Sequence, residues 1–383
     1  MAECPRQPSF SQLDLRRVEV YEVWMRLRVG FETSFGKTVE RPALLVRVEE
    51  RGGEEGWGEV VAGEGPWYSC ETYATAWHII RDYLVGFLHG SNGDPLVFVN
   101  NASRVRGHMM AKAGVEEALW DLQSRIAGVP LWRMLGGRGG LVESGVSVGI
   151  APNVETLLRW VSSYVEAGYR RVKLKIKPGW DVDVVKRVRR EFPDVPLQVD
   201  ANAAYTLSDI GVFKALDELD LLMIEQPLDY EDLVDHAVLS SKLRTPICLD
   251  ESVRKPKHAL DALKLESAQV INLKPGRVGG LHASLRIHDV WYCGGGRPLW
   301  VGGMLETGVG RSHLVALATL PGVSYPNDIS ASDRYYPEDI VEPPWALRPG
   351  GYLEAPQRPG IGVDVRLDLL EKYTRRKWEA SLA

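Results

Sequence analysis

From about residue 144 onward the sequence repeats one device, a short β-branched run followed by a helical segment. The runs are "GVSVGI", "RVKLKI", "PLQVDA", "LLMIEQ", "PICLDE", "QVINLK" and "PLWVGG", with a weaker eighth at "VSYPND". A strand that is followed each time by a helix must re-enter the sheet in the same direction, so the strands are expected to be parallel. Seven or eight such units close into a barrel. This periodicity constrains the chain more than any other feature of it.

The rest of the chain has a different texture. Residues 14–61 contain alternating stretches, "RRVEVYEVWMRLRV" and "ALLVRVEE", that predict antiparallel strands. Residues 70–135 carry apolar residues at helical spacing, in "SCETYATAWHIIRDYLVGFL" and "MMAKAGVEEALWDLQSRIAG". The Pro/Gly-rich tail "PPWALRPGGYLEAPQRPGIGVDV" is expected to return to the N-terminal region. A chain of 383 residues exceeds what one ordinary core supports, so a barrel plus a smaller domain is expected. The formal charge of −5 gives no reason to expect nucleic acid or an anionic membrane surface as a partner. Cys4, Cys70, Cys248 and Cys293 are scattered without C-x-x-C spacing, which suggests neither a disulfide framework nor a thiolate zinc site. The N-terminal "MAECPRQPSFSQ" does not read as a signal segment, and no uninterrupted membrane span is seen. A cytoplasmic enzyme is the expectation.

Most of the middle strands end on an ionisable residue: Lys175, Asp200, Glu225, Asp250 and Lys274. The steps between them are 25, 25, 25 and 24 residues, about one βα unit each. Side chains at the C-terminal ends of barrel strands converge on one mouth. Any one of these residues could be a solvated loop start, but five in series, each after an apolar run, fit that reading poorly. Three carboxylates meeting there repel one another unless a cation joins them, and three hard oxygen donors suit Mg²⁺, with water and substrate completing the shell.

Such an ion points to proton abstraction beside a carboxylate, because positive charge stabilises the enediolate as it forms. The base must be neutral near pH 7, and a lysine among other cations has a lowered pKa. In "RRVKLKIKPGWD" the period-two alternation puts Lys173, Lys175 and Lys177 on one face. Lys175 is the expected base. Lys173 is expected to supply charge to the substrate carboxylate and to lower the pKa of Lys175.

Taken in order, Lys173 and Lys175, Asp200 and Asn202, Glu225, Asp250 with Glu251 behind it, and Lys274 resemble the muconate lactonizing enzyme subgroup of the enolase superfamily. The stretches "FETSFGKTVER", "RGHMMAKAG", "SVGI", "KLKIKPGWD", "QVDANAAYTL", "IEQPL", "PICLDES", "NLKPGRVGG", "GGMLETGVGR" and "SASDRYY" resemble o-succinylbenzoate synthases and the related N-acylamino acid (N-succinylamino acid) racemases more closely still. The resemblance implies an α/β fold, a (β/α)7β modified TIM barrel at 144–336 with an α+β capping domain at 1–143 and a tail at 337–383 that returns to the cap. It implies Mg²⁺ on Asp200, Glu225 and Asp250, with Mn²⁺ able to substitute. Lys175 and Lys274 would face opposite sides of the substrate α-carbon. Ser147, Asn202 and the segment Gly302 to Glu306, with Gly303, Met304 and Leu305 at its centre, would line the substrate pocket. Cap loops around Phe31 to Gly36 and Gly58 to Tyr68 would cover it. The implied partner is a small-molecule carboxylate, and the implied assembly a homo-oligomer, a dimer or an octamer.

Two reactions fit this resemblance. One is syn elimination of water from 2-succinyl-6-hydroxy-2,4-cyclohexadiene-1-carboxylate, giving o-succinylbenzoate for menaquinone synthesis. The other is racemisation of N-succinylamino acids, and one site could run both. A non-catalytic barrel is the alternative from another class; it would tolerate loss of a metal ligand, whereas all three are present. The "GGMLETG" strand end lacks the D-x-D with which related dipeptide epimerases hold a substrate ammonium, which argues against dipeptides. "GEGPWYS" departs from the family in its glycine and tryptophan and leaves the acyl preference open. Lys177 stands where the family often carries glutamate, and with Pro178-Gly179 ending the strand it is expected to lean into solvent. His108 reads as structural, "GRVGG" as a βα turn, and Cys248 as a barrel-interior thiol without an activating neighbour.

Overall fold

The computed structural model describes residues 8–382. Seven parallel strands form one sheet in chain order: Val146–Val148, Val172–Lys175, Leu197–Asp200, Ile224–Glu225, Ile247–Leu249, Val270–Leu273 and Leu299–Val301. Each pairs in parallel with the next. The weak eighth run forms no named strand, yet it joins the sheet's two ends. Val323 bridges Leu299, Asn327 bridges Ser144, and Asp328 N donates to Val301 O at 3.0 Å. Two prolines near this run, Pro321 and Pro326, remove ladder donors, which explains why it pairs through isolated bridges.

The alternation in the second barrel strand decides its two faces. Val172, Leu174 and Ile176 pack outward into the core shared with the surrounding helices, while Lys173 and Lys175 point inward. Below the mouth the interior is filled by Met223, Cys248, Val270 and Trp300. Cys248 accepts a hydrogen bond from Trp300 Nε1 at 3.2 Å, and burial pushes its thiol well above the ordinary value.

The cap is an antiparallel sheet in the order Thr374–Ser381, Leu15–Thr33, Gly36–Glu50, Glu55–Val60. Its first member is the C-terminal tail, paired with the first strand from Arg17↔Ser381 onward. The helix Met109–Ile126 packs on this sheet, and two glycines permit the contact. A Cβ on Gly56 would stand 2.2 Å from Ala118 O, and one on Gly58 would stand 2.1 Å from Gly114 O. Apolar spacing alone predicts an amphipathic helix here. Instead it is buried nearly all round between cap sheet and barrel, with Glu116, Glu117 and Asp121 inside. No helix among the described residues is long and apolar enough to cross a membrane.

Cys293 is disulfide-bonded, an isolated bridge where the sequence suggests no disulfide framework. Spacing rules detect clustered frameworks, and an isolated cysteine leaves no such signature. Cys70 and Cys248 are free thiols, and Cys4, with most of the N-terminal segment read above for a signal, lies outside the described residues.

Candidate active site

Strand ends bring the ionisable residues together. Lys175 and Asp200 are paired in register, as are Asp200 and Glu225, and Asp250 and Lys274 each follow the last residue of their strands. All five are buried. Lys175 Nζ donates to Asp200 Oδ2 at 2.6 Å and to Asn202 Oδ1 at 2.7 Å. Lys173 Nζ lies 2.9 Å from Glu225 Oε2, 3.2 Å from Asp200 Oδ2 and 2.6 Å from Asp328 Oδ2. On the other side, Lys274 Nζ donates to Asp250 Oδ2 at 2.8 Å, and the Arg277 guanidinium contacts Asp250 Oδ1.

These contacts set the protonation of each group. Burial alone would lower Lys173, but Asp328, Glu225 and Asp200 around it hold its ammonium well above the ordinary lysine value. Burial is likewise outweighed at Lys274, where Asp250 raises the pKa. Asp250 and Asp200 lie below the usual carboxylate range despite burial, because of Lys274 and Arg277 in one case and Lys175 and Lys173 in the other. Burial and the charge of Asp200 push Glu225 up to about 7. Glu251 rises to about 8, through burial and the nearby Asp250 and Asp200.

The mouth opens into a cavity of about 580 Å³. Lys173, Lys175, Lys274, Ser147, Asn202, Gly303, Met304 and Leu305 line it from the barrel. Phe31, Thr33 and Phe35 line it from one cap loop, and Gly63, Trp67 and Tyr68 from the other. Ser147 Oγ is buried without a hydrogen-bond partner. Gly303 is required by space, since a Cβ there would meet Asp328 O at 2.6 Å. Glu306, expected in the pocket wall, turns away from it. Its carboxylate accepts from Met304 N at 2.8 Å and so shapes the turn from beneath. Lys177 is outside the cluster, 40% exposed and 3.5 Å from Glu32 Oε1 of the cap hairpin. His108 precedes the cap helix with φ of 52° and does not line the cavity. In "GRVGG" a short helix leads to Gly279 and Gly280, where a Cβ on Gly280 would stand 2.3 Å from Glu116 Oε2. These glycines make a tight turn against the cap helix, as the turn reading expects.

Two family descriptions match the chain. Residues 15–136 match the mandelate racemase/muconate lactonizing enzyme N-terminal domain, and residues 156–369 match the enolase C-terminal domain-like family. The chain belongs to the enolase superfamily. An o-succinylbenzoate synthase from Geobacillus stearothermophilus is 49% identical over 365 residues, covering 95% of this chain and 96% of the relative. An N-succinylamino acid racemase from Thermus thermophilus is 45% identical over 364 residues, covering 95% and 97%. A solved enolase superfamily member from Listeria innocua superposes with a TM-score of 0.92 at 40% identity, covering 97% and 100%.

Enolase superfamily members use Mg²⁺. The donor chemistry here fits a hard divalent cation, since Asp200, Glu225 and Asp250 are buried oxygen donors, with Glu225 feeling the charge of Asp200 and Asp250 and Asp200 that of Asp250. Glu251 Oε2 beside them is buried with no hydrogen-bond partner.

Several residues of this cluster were not singled out in the sequence. Asp328 ends the eighth run and would follow from the same strand-end rule. Gln198 and Asn272 donate to Glu225 at 2.8 and 2.6 Å. Both stand two residues before a strand-end charge, as Lys173 stands before Lys175, so parity marks them too. Arg277 has no such signal because a turn carries it, and Tyr68, at the end of the cap loop expected over the pocket, gives no sign in the sequence of its contact with Lys274.

Proposed function

We propose that this chain is a Mg²⁺-dependent o-succinylbenzoate synthase of the enolase superfamily. The observation that carries the reading is the pair Lys175 and Lys274, at the ends of the second and sixth barrel strands, facing one cavity and each hydrogen-bonded to a buried strand-end carboxylate, Asp200 or Asp250. In this reading Asp200, Glu225 and Asp250 hold the ion, with Mn²⁺ as a substitute and Glu251 behind them. Bound there, the ion would supply positive charge beside the substrate carboxylate as negative charge develops. The chain divides into a cap at 1–143, a catalytic barrel at 144–336 and a returning tail at 337–383.

Lys175 takes the α-proton, then returns it to the leaving hydroxyl as the C–O bond breaks and water departs. Lys274 stays protonated and lies as a cation over the enolate π-system. Lys173, held charged by three carboxylates and 4.8 Å from the Trp300 ring centroid, binds the substrate carboxylate and transfers no proton. Ser147, Asn202 and the turn Gly303 to Leu305 receive the succinyl arm. The cap loops exclude water during turnover.

The second reading, N-succinylamino acid racemase in the same site, is favoured by each lysine having its own carboxylate anchor, Asp200 or Asp250, on separate strands. Racemisation needs one base on each face. A cytoplasmic homo-oligomer, dimer or octamer, completes the proposal and is checked by sedimentation of the purified chain. The deciding assay follows o-succinylbenzoate formation after chelation and after Mg²⁺ add-back. Loss and recovery of turnover support the synthase. Full activity in metal-free protein, or none with metal, overturns it.

A further inference from the structure

The two proton-transfer lysines are held by different parts of the molecule. Both hydrogen-bond partners of Lys175, Asp200 and Asn202, belong to the barrel. Lys274 has the barrel's Asp250 at 2.8 Å but also the hydroxyl of Tyr68 at 3.3 Å, and its Nζ lies 4.8 Å from the Tyr68 ring centroid. Tyr68 comes from the cap loop. Its hydroxyl donates to Asp250 Oδ1 at 3.0 Å, while Lys274 and Arg277 donate to its oxygen. One phenol therefore uses its single O–H and its lone pairs to tie the second base to that base's own carboxylate.

The loop that delivers Tyr68 is fixed to the cap. Glu71, three residues on, accepts hydrogen bonds from Met110 N and Ala111 N at the start of the helix Met109–Ile126. The Phe35 ring from the neighbouring hairpin lies 6.4 Å from the Tyr68 ring, on the pocket side. A lysine ammonium sits on a flexible four-carbon stem, so its position depends on the partners that surround it. With Tyr68 present, the Lys274 stem is confined between a ring face, a hydroxyl and a carboxylate.

We propose that Tyr68 is a positioning residue for Lys274 and not for Lys175, so that the cap touches one proton-transfer lysine directly, while the direct partners of the other, Asp200 and Asn202, belong to the barrel. This rests on the two-lysine reading above. It goes beyond that reading in assigning unequal dependence on the cap to the two faces. Substrates that hold the cap loop away from the barrel would still be deprotonated on the Lys175 face, and racemisation would be the reaction most sensitive to cap closure.

The test follows α-proton exchange in deuterium oxide with each enantiomer of an N-succinylamino acid. Lys175→Ala and Lys274→Ala first define which enantiomer belongs to which lysine. Tyr68→Phe, which keeps the ring and removes the hydroxyl, should then slow exchange of the Lys274 enantiomer about tenfold or more, and the other by less than about twofold, as expected for a misplaced group. Tyr68→Leu should deepen the same one-sided loss. The melting temperature and the Mn²⁺ affinity, measured by water proton relaxation, should stay near those of the unmodified protein. A loss shared equally by both enantiomers, no loss, or a parallel collapse of Mn²⁺ affinity overturns the inference. If the two lysine variants do not split the enantiomers, the two-lysine reading falls and this inference with it. If they split and the Tyr68 variants do not, only this inference falls.

Discussion

The buried carboxylates at the barrel mouth and those in the seam between cap and barrel are neutralised in different ways. At the barrel mouth, Asp200, Glu225, Asp250 and Asp328 are matched by Lys173, Lys175, Lys274, Arg171 and Arg277. In the seam between cap and barrel, Glu59, Glu116, Glu117 and Glu306 are as deeply buried, and none has an ion-pair partner among the described residues. They accept mainly from backbone N–H groups. Glu59 caps the helix Gly308–Ala318 through Thr307 N at 3.1 Å, Gly310 N at 2.9 Å and Thr307 Oγ1 at 2.6 Å. Glu116 accepts from Leu281 N at 2.7 Å and His282 N at 2.8 Å, at the start of the helix Leu281–His288. Helix N-termini offer partial positive charge and unpaired donors, which suffice to hold a carboxylate in place. Full cations at the mouth hold Asp200, Asp250 and Asp328 below the usual carboxylate range, and helix ends in the seam dock the cap.

Substitution should separate the two groups. At the mouth, Lys175→Ala should lower turnover by about 10²–10⁴-fold, the usual scale of a lost acid–base group, with little change in melting. Lys175→Arg should be equally inactive because arginine stays protonated, whereas Lys173→Arg should keep measurable activity. Steady-state rates beside thermal melts check this, and equal loss from both arginine variants would blur the division of roles. Asp250→Asn should have a smaller effect, weakening Mn²⁺ binding in a titration because one charge is lost while the shape stays.

In the seam the order of effects reverses. Glu116→Leu strands two helix N–H donors and should cost about 1–3 kcal/mol of stability in urea unfolding, the range for buried unmade hydrogen bonds. Activity per folded molecule should remain. A subtler signature is pH. Burial, with the charge of Glu306 added at Glu59, raises Glu59 and Glu116 to about 7 from 4.5. The native state then keeps protons that the unfolded chain has already released, so stability should fall as pH rises from 4.5 to about 7 and level off above. Glu59→Gln should flatten that slope, and an unchanged slope would remove Glu59 from the account.

The mouth was legible because a barrel repeats. Lys175, Asp200, Glu225, Asp250 and Lys274 announce themselves by recurring once per βα unit, and the inward parity of Lys173 follows from one strand's alternation. The seam was not legible. Glu116 and Glu117 lie in "GVEEALWDL", which reads as the wet side of an amphipathic helix, and only the docking of cap on barrel buries them. Tyr68 was hidden for the same reason, since its contact with Lys274 joins residues 206 apart through two separate units. Local pattern reports what an element does alone, and the meeting of two units has no local pattern.

Lys175 and Lys274 are expected to address opposite faces of one α-carbon. Exchange of the α-proton in deuterium oxide, measured separately for each enantiomer of an N-succinylamino acid with Mg²⁺ present, tests it most directly. The unmodified protein should exchange both, Lys175→Ala should lose one enantiomer, and Lys274→Ala should lose the other. If either single variant still exchanges both enantiomers at comparable rates, one lysine or water serves both faces, and the two-faced assignment falls.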